Sequence, residues 1–167
     1  MRFLARWRVF LGFVFAAVAL YLATPTQATL LVGGAIATAG EMLRLWAAGH
    51  LEKSKEVTRS GPYQFTRHPL YLGSSLIGIG FAIAASHIIV AVIVIAYLLL
   101  TLTAAMRSEE AHLREKFGDA YDAYAEKRAE PMQRRFSWQR AIYNREHHTI
   151  AGLAGGFAIL AAKVYLL

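Results

Sequence analysis

The sequence contains no cysteine and little charge. Cysteine is absent from all 167 residues, which excludes disulfide scaffolds, thiolate zinc sites and cysteine nucleophiles. Charged residues make up 17% of the chain, against about 25% in a typical soluble domain. Hydrophobic residues reach 56%, and a chain of this length has too little interior to hide that much apolar surface. This composition excludes intrinsic disorder and disfavours an ordinary soluble globule.

The apolar residues are gathered in five blocks of roughly membrane-spanning length. A bilayer core of about 30 Å requires about 20 helical residues, and the blocks cover residues 9–23, 29–48, 69–86, 88–106 and 150–167. The first block is followed at once by another, unlike a cleaved signal peptide. The pattern predicts an all-α polytopic membrane helix bundle, a single domain over 1–167 with about five transmembrane helices.

The basic residues are distributed unevenly between the loops. If all five blocks span the membrane, 16 of the 18 lysines and arginines lie on one side, and the short turns at 24–28 and 86–87 hold none. The positive-inside rule then predicts that the N-terminus and the long loops at 49–68 and 107–148 are cytoplasmic, with the C-terminus on the opposite side. Membrane orientation explains most of the net charge of +7, and we expect no nucleic-acid partner.

An amphipathic stretch follows the fourth block. Helical spacing continues over 107–125, where apolar and aromatic residues recur three or four positions apart, at Leu113, Phe117, Tyr121 and Tyr124. Charged residues occupy the other faces. This pattern predicts a cytoplasmic amphipathic helix that folds back over the membrane mouth of the bundle.

The last block contains a pair of glycines at helical spacing. Gly152 and Gly156 form a G-x-x-x-G motif, which allows two helix backbones to approach closely. We expect this pair to pack within the bundle rather than between two copies of the chain, because the bundle itself must pack.

Two ionisable residues lie inside the second block. Glu41 and Arg44 are three residues apart, so on a helix they could pair with each other. Arg44 also lies near the cytoplasmic end, from which its side chain could reach the membrane surface. Because ionisable groups at membrane depth usually face a partner or a cavity, Arg44 could instead anchor an anionic substrate group. The residues alone leave these interpretations open.

A basic and aromatic segment precedes the third block. Pro69 suits the first turn of a helix, which places His68 at the N-cap, where unpaired backbone N–H groups favour an anion. Arg67 adds further donors. The segment could also be a basic, aromatic boundary at the membrane interface, with Tyr63 and Tyr71 in the aromatic belt.

Two adjacent carboxylates lie where the fourth block leaves the membrane. Glu109 and Glu110, beside Arg107, could hold a cationic amine, or they could form a solvated helix face with pairs such as Glu110–Arg114. An anion site and a cation site at one membrane face suggest a zwitterionic ligand, such as the amino-acid end of S-adenosylmethionine. No Gly-rich dinucleotide loop or P-loop motif is present.

Several of these segments occur in a familiar order over roughly residues 40–130. They are Leu43-Arg44-Leu-Trp46-Ala-Ala-Gly49, Gly61-Pro-Tyr63, Arg67-His-Pro-Leu-Tyr-Leu-Gly73, Glu109-Glu110-x-x-Leu113, Phe117-Gly118 and Tyr121-x-x-Tyr124. This order resembles the isoprenylcysteine carboxyl methyltransferase family, which is grouped with the phospholipid N-methyltransferases among integral-membrane methyltransferases. The resemblance implies an α-helical membrane enzyme that uses S-adenosylmethionine. The last block, 150–167, lies outside the core motifs.

The resemblance also implies roles for particular residues. The residues that match cofactor-binding positions are Lys53, Val57, Tyr63, Arg67, His68, Pro69, Leu70, Tyr71 and Glu109. Arg44 matches an intramembrane arginine near the methyl acceptor. Arg107 is the nearest candidate for the family's second substrate arginine, although its spacing differs, and Glu110 could take the proton of an amine acceptor.

These matches lead to an expected reaction. We expect direct transfer of the methyl group of S-adenosylmethionine, without a metal, to a carboxylate on a lipid-like or isoprenylcysteine-like acceptor held in the membrane. One alternative is methylation of a phospholipid headgroup amine, and another is a non-enzymatic membrane scaffold that retains the fold. The inverted repeats of many transporters are not visible. The identity of the acceptor and the oligomeric state stay open.

Overall fold

A computed structural model describes residues 14–166, and helices are the regular secondary structure in this range. Seven α-helices follow one another there: α1 (described over 14–22), α2 (Gln27–His50), α3 (Pro69–Ala85), α4 (Ile88–Phe117), α5 (Asp119–Ala125), α6 (Trp138–Tyr143) and α7 (Glu146–Tyr165). A 3-10 helix, Gly61–Gln64, lies between α2 and α3. The prediction of an all-α fold is confirmed.

Three of these helices have the length and polarity of membrane spans. In the described residues, α2, α4 and α7 are long and apolar enough to cross a membrane, while α3 is a shorter apolar helix of 17 residues. Residues 9–13 of the first predicted block lie outside the described range. Large apolar side chains such as Leu99 and Leu100 are exposed, as expected for surfaces that face lipid. The architecture is that of a helical membrane bundle.

Glycines allow α2 and α3 to pack with their backbones in contact. A Cβ atom added to Gly40 would lie 2.6 Å from the carbonyl oxygen of Gly73, and one added to Gly80 would lie 2.5 Å from that of Gly33. Real Cβ atoms essentially never come this close to other atoms. The α2–α3 contact therefore requires glycine at both crossing levels, in keeping with the role of small residues in membrane helix packing.

The G-x-x-x-G pair of α7 makes no such contact. Nothing among the described residues lies within 4 Å of a Cβ built on Gly152, and one built on Gly156 would meet only the Phe81 ring, at 3.6 Å. Within residues 14–166, the pair therefore brings no second backbone close, and the contact that Gly156 makes is with a side chain of the same bundle. Close packing in this fold uses glycines of α2 and α3 instead. These glycines lie on the sides of α2 and α3 that face each other.

Four helices converge at the end of the bundle that contains the α3–α4 turn. A small apolar cluster joins α1, α3, α4 and α7, through Ala19, Ala23, Ala84, Ala85, Val90 and Leu160. Lys163 of α7 extends its Nζ to the carbonyl oxygens of Leu20, Tyr21 and Ala23, at 3.0, 2.9 and 2.5 Å. The lysine thereby satisfies carbonyls that the C-terminal end of α1 leaves unpaired.

The opposite end is closed by a segment that we call the C-terminal strap, residues 129–144. Side chains of the strap bond the free carbonyls at the end of α2: Arg134 donates to His50 O at 3.1 Å, Arg140 to Gly49 O at 2.8 Å and Asn144 to Ala48 O at 2.9 Å. Two of these donors are cationic, which the negative end of a helix dipole favours. The strap therefore fixes the loop that follows α2.

The amphipathic stretch after the fourth block forms two helices instead of one. Helix α4 continues to Phe117, and Gly118 then adopts φ 47° and ψ −124° before α5 begins. The prediction of helix over 107–125 is confirmed on both sides of Gly118. The prediction that this helix is continuous is wrong, because it breaks at Gly118. A positive φ, which glycine tolerates at low cost, lets the chain change direction here.

The α2–α3 contact provides a test of the fold. Replacing Gly40 or Gly73 with alanine should destabilise the protein by about 1–3 kcal/mol, because an added methyl group must push the two backbones apart. Thermal unfolding in detergent measures this effect. Gly152→Ala is the matched control and should leave stability unchanged or slightly higher. Equal destabilisation by all three variants would contradict the packing described.

Candidate functional site

The N-terminus of α3 forms one wall of a polar cluster. His68 is the N-cap residue, and its side chain makes no capping hydrogen bond. Pro69 occupies the first helical turn and has no N–H group. The backbone N–H groups of Leu70 and Tyr71 precede the first intrahelical bonds. The prediction of His68 as the N-cap is confirmed, and the helix end presents free donors.

Glu110 of α4 faces this helix end. One carboxylate oxygen, Oε1, lies 2.8 Å from His68 Nε2 and 3.2 Å from Arg67 Nη1. The alternative pair, Glu110–Arg114, does not form, because Arg114 donates to Asp122 at 2.8 Å. The basic and acidic residues that the sequence marked separately therefore meet at one place.

Glu109 faces a group of phenols on the same side. Its carboxylate lies beside the hydroxyls of Tyr63 and Tyr71. Burial, and secondarily the Glu109 charge, raise the pKa of Tyr63 well above its ordinary range. Tyr63 is only 7% exposed, so its ring forms part of the floor of the cluster. A cation could approach both carboxylates, since Glu110 contacts His68, Glu109 lies beside Tyr71, and the centroids of the His68 and Tyr71 rings are 5.7 Å apart.

Helix α5 closes the cluster on another side. The Tyr124 hydroxyl donates to the Tyr63 carbonyl at 2.8 Å and to the Thr66 carbonyl at 3.4 Å. Burial raises the pKa of Tyr124 to about 12, so the hydroxyl stays a donor across the physiological range. Tyr121 is buried and lies beside Arg67. Two residues of the predicted aromatic face, Tyr121 and Tyr124, thus contact segment 61–68, while Phe117 lines the cavity described next.

A cavity of about 420 Å³ lies under the loop that follows α2. Its volume is in the range of small-molecule sites, and it is lined by Lys55, Glu56, Val57, Arg59, Phe117, Ala120, Ala123, Ala129 and Met132. Glu56 is held by an ion pair with Arg134 of the strap, 2.6 Å between Oε1 and Nη1. Of the two residues predicted in this loop, Val57 lines the cavity and Lys53 is exposed.

Arg44 is engaged by two other helices. Its Nη1 donates to Ser74 Oγ and to the Leu70 carbonyl of α3, the latter at 3.4 Å. Its Nη2 forms an ion pair with both carboxylate oxygens of Glu146 and donates to Thr149 Oγ1 at 3.2 Å. The suggested Glu41–Arg44 pair is wrong, because α7 supplies the partner.

Two polar groups near this ion pair have no partner among the described residues. Both carboxylate oxygens of Glu41 are buried and unpaired, and so is Nε of Arg44. The side chain of Glu146 is 2% exposed. Three ionisable groups thus share a buried site, and one guanidinium faces two carboxyl groups. An unpaired buried polar group is costly, so a site of this kind is suited to a ligand.

Sequence reasoning missed Glu146. It lies four residues before the last apolar block, next to Arg145 and two histidines, and this basic surrounding hid it. A usable signal was present, because Arg44 inside a membrane block requires an acidic partner from another element. The three-dimensional structure is needed to identify Glu146 as that partner, since 102 residues separate it from Arg44 in the sequence.

The structure does not gather all predicted site residues. Tyr63, Arg67, His68, Leu70, Tyr71, Glu109 and Glu110 surround one cluster, with Pro69 in the helix turn behind it. Arg107 is exposed and makes no ion pair within residues 14–166. Arg44 lies deeper along α3, where it contacts the same first turn through the Leu70 carbonyl.

Comparison with known proteins gives two matches. A sequence model of a family described as phospholipid methyltransferase matches residues 7–120. The nickel-cobalt-cadmium resistance protein NccN of Alcaligenes xylosoxydans xylosoxydans is 35% identical over 99 residues, 57% of this chain and 44% of that protein. The chain therefore spans less than half the length of this curated relative. No solved structure matches the chain.

The contact between α5 and segment 61–68 can be tested directly. Tyr124→Phe removes the donor to the Tyr63 carbonyl and should lower stability by about 1 kcal/mol. Hydrogen exchange should show faster exchange of the amides at 63–66, where the lost bond held the backbone. Tyr165→Phe, at an exposed phenol, is the control and should change neither quantity. Unaltered exchange in Tyr124→Phe would contradict the assigned contact.

Proposed function

Because the chain belongs to the phospholipid methyltransferase family, we propose that the polar cluster binds S-adenosylmethionine and that Arg44 lies at the methyl acceptor. Membership supports a membrane methyltransferase, and enzymes of this family generally use S-adenosylmethionine. The matched residues, 7–120, include every member of the cluster. Helices α6 and α7, with Glu146, lie outside them.

The observation that carries the cofactor assignment is the bridge from Glu110 to His68 and Arg67. A zwitterionic amino-acid group needs an acidic and a basic contact at short range. Here the acidic group, Glu110, and the basic groups, His68 and Arg67, are already in contact. The carboxylate of the ligand would meet Arg67, His68 and the free N–H groups of Leu70 and Tyr71, which suit an anion. The ammonium would meet Glu109 and Glu110.

The neighbouring cavity suits the uncharged part of such a ligand. Val57, Phe117 and Met132 give it an apolar lining, which an aromatic ring such as adenine can contact. When bound, S-adenosylmethionine supplies a methyl group already activated on a sulfonium. The chain has to position the acceptor within about 3–3.5 Å of that methyl group and exclude water.

An acceptor held by the bilayer fits the position of Arg44. The guanidinium lies in the bundle, on the membrane side of the His68–Glu110 contact, and it bonds the Leu70 carbonyl one turn into α3. A long-chain acceptor could enter from the lipid while the cofactor enters from the loops. The exposed apolar surfaces of α4 and α7 fit this arrangement, because such surfaces suit contact with lipid.

The contacts of Arg44 favour an amine acceptor over a carboxylate. Both terminal nitrogens are used by Ser74, Leu70, Glu146 and Thr149, so a bidentate grip on an incoming carboxylate is not available. The excess of carboxyl groups at Glu41 and Glu146 suits a cation. We therefore place headgroup N-methylation ahead of the carboxyl methylation that the motifs alone suggest.

An amine acceptor must lose a proton before it can attack. Glu110 already accepts from His68 and Arg67, whereas the oxygens of Glu41 have no partner within the described residues. Glu41 is therefore the residue that would take the proton of the ammonium. The freed nitrogen lone pair could then accept the methyl group that bound S-adenosylmethionine would supply, with S-adenosylhomocysteine as the leaving group.

S-Adenosylhomocysteine binding tests the cofactor assignment. His68→Ala and Glu110→Gln should each weaken binding about tenfold or more, because each removes a charged contact. Isothermal titration calorimetry on the detergent-solubilised protein measures this, with Glu115→Gln, an exposed acid on α4, as control. Absence of binding to the wild type would favour a non-enzymatic scaffold.

A labelled methyl donor identifies the acceptor. Label transferred from S-adenosylmethionine to a lipid extract should be stable to base if the acceptor is an amine, and labile to base if the product is a methyl ester.

The cysteine-free sequence permits a clean test of orientation. We propose that the cluster faces the cytoplasm, on the strength of the basic loops around it. Lys53→Cys should then react with a membrane-impermeant maleimide only from the cytoplasmic side. Ser86→Cys, in the α3–α4 turn, should react only from the other side. The opposite pattern would reverse the orientation.

A further inference from the structure

We infer that Glu146 of α7 determines the charge of the group that the acceptor site receives, by neutralising Arg44. The inference rests on the proposed function, since it concerns the acceptor of that reaction. Glu146 lies in the first turn of α7, outside the residues matched to the family, 7–120. It acts on the acceptor through Arg44, as a specificity-determining residue.

The contact geometry supports neutralisation rather than a chance surface pair. Glu146 is 2% exposed at its side chain and Arg44 18%, so water screens the pair weakly. Both carboxylate oxygens bind the same nitrogen, and Thr149, one turn further along α7, binds it too. The α7 helix thus occupies the side of the guanidinium that an anionic ligand would otherwise take.

The charges around the site then favour a cation. With Arg44 matched by Glu146, a further carboxyl group, that of Glu41, is close enough for both charges to act on it, and its oxygens have no partner within residues 14–166. Replacing Glu146 with glutamine keeps the size of the side chain and removes its charge. Arg44 would then present an unmatched positive charge, which attracts carboxylates and repels ammonium groups.

Two probes of equal chain length measure the selectivity. Hexadecylamine and palmitate differ in headgroup charge, and their binding to the detergent-solubilised protein can be titrated without cofactor. The wild type should bind hexadecylamine more tightly than palmitate. Glu146→Gln should shift the ratio of the two dissociation constants toward palmitate by about tenfold or more. Label transfer from the methyl donor to the same probes should follow the same shift.

Further variants separate charge from folding. Glu115→Gln removes the charge of an exposed acid on α4, away from Arg44, and should leave the ratio unchanged. Loss of one partner of a buried pair can unfold a protein, so Arg44→Gln with Glu146→Gln removes both charges. That double variant should keep the preference of the wild type for the amine, because the pair contributes no net charge. Reversal of preference in the double variant would overturn the inference.

The remaining outcomes distinguish this inference from the proposed function. If Glu146→Gln folds and binds both probes in the wild-type ratio, the inference is overturned while S-adenosylhomocysteine binding still supports the methyltransferase. If the wild type binds no S-adenosylhomocysteine and transfers no label, the proposed function fails. The probe ratio then still decides whether Glu146 sets the charge preference of the site.

Discussion

The backbone contact between α2 and α3 at Gly40 and Gly73 is the constraint on which the site depends. Only glycine at these positions lets the helices approach so closely, and a Cβ on Gly73 would also lie 2.5 Å from Cγ of Arg44. The same glycine that admits the neighbouring helix therefore leaves room for the arginine. Without it, Arg44 could not lie along the first turns of α3 and reach Ser74.

A buried arginine then requires an anion, and this requirement connects α7 to the bundle. Removing two charges from water costs several kcal/mol per ion, which only close contacts with good geometry offset. Glu146 and Thr149 supply these contacts from the first turn of α7. At the opposite end of the same helix, Lys163 bonds the carbonyls of α1. Polar contacts at both ends thus fix a helix whose apolar middle is largely exposed.

Periodicity and local chemistry predicted those parts of the fold that short segments determine. The apolar blocks, the N-cap at His68 and the opposed charges at Arg67 and Glu110 all follow from residue type and spacing. The partner of Arg44 could not be predicted, because any acid in another helix satisfies the same electrostatic need. Gly118 and Gly152 show the same limit. Gly118 lets the chain change direction, whereas a Cβ on Gly152 would meet nothing within 4 Å in residues 14–166, although the sequence pattern indicated a packing role only for Gly152.

The first turn of α3 couples the two halves of the proposed reaction. His68 and the free N–H groups of this turn face the cofactor side, while the Leu70 carbonyl accepts from Arg44 on the acceptor side. A helical turn is stiff, because its dihedral angles are fixed by hydrogen bonds and by Pro69. Methyl transfer requires the two reacting groups to be aligned within a few tenths of an ångström of contact. In the proposed reaction, a single rigid turn that contacts both sites would provide this alignment.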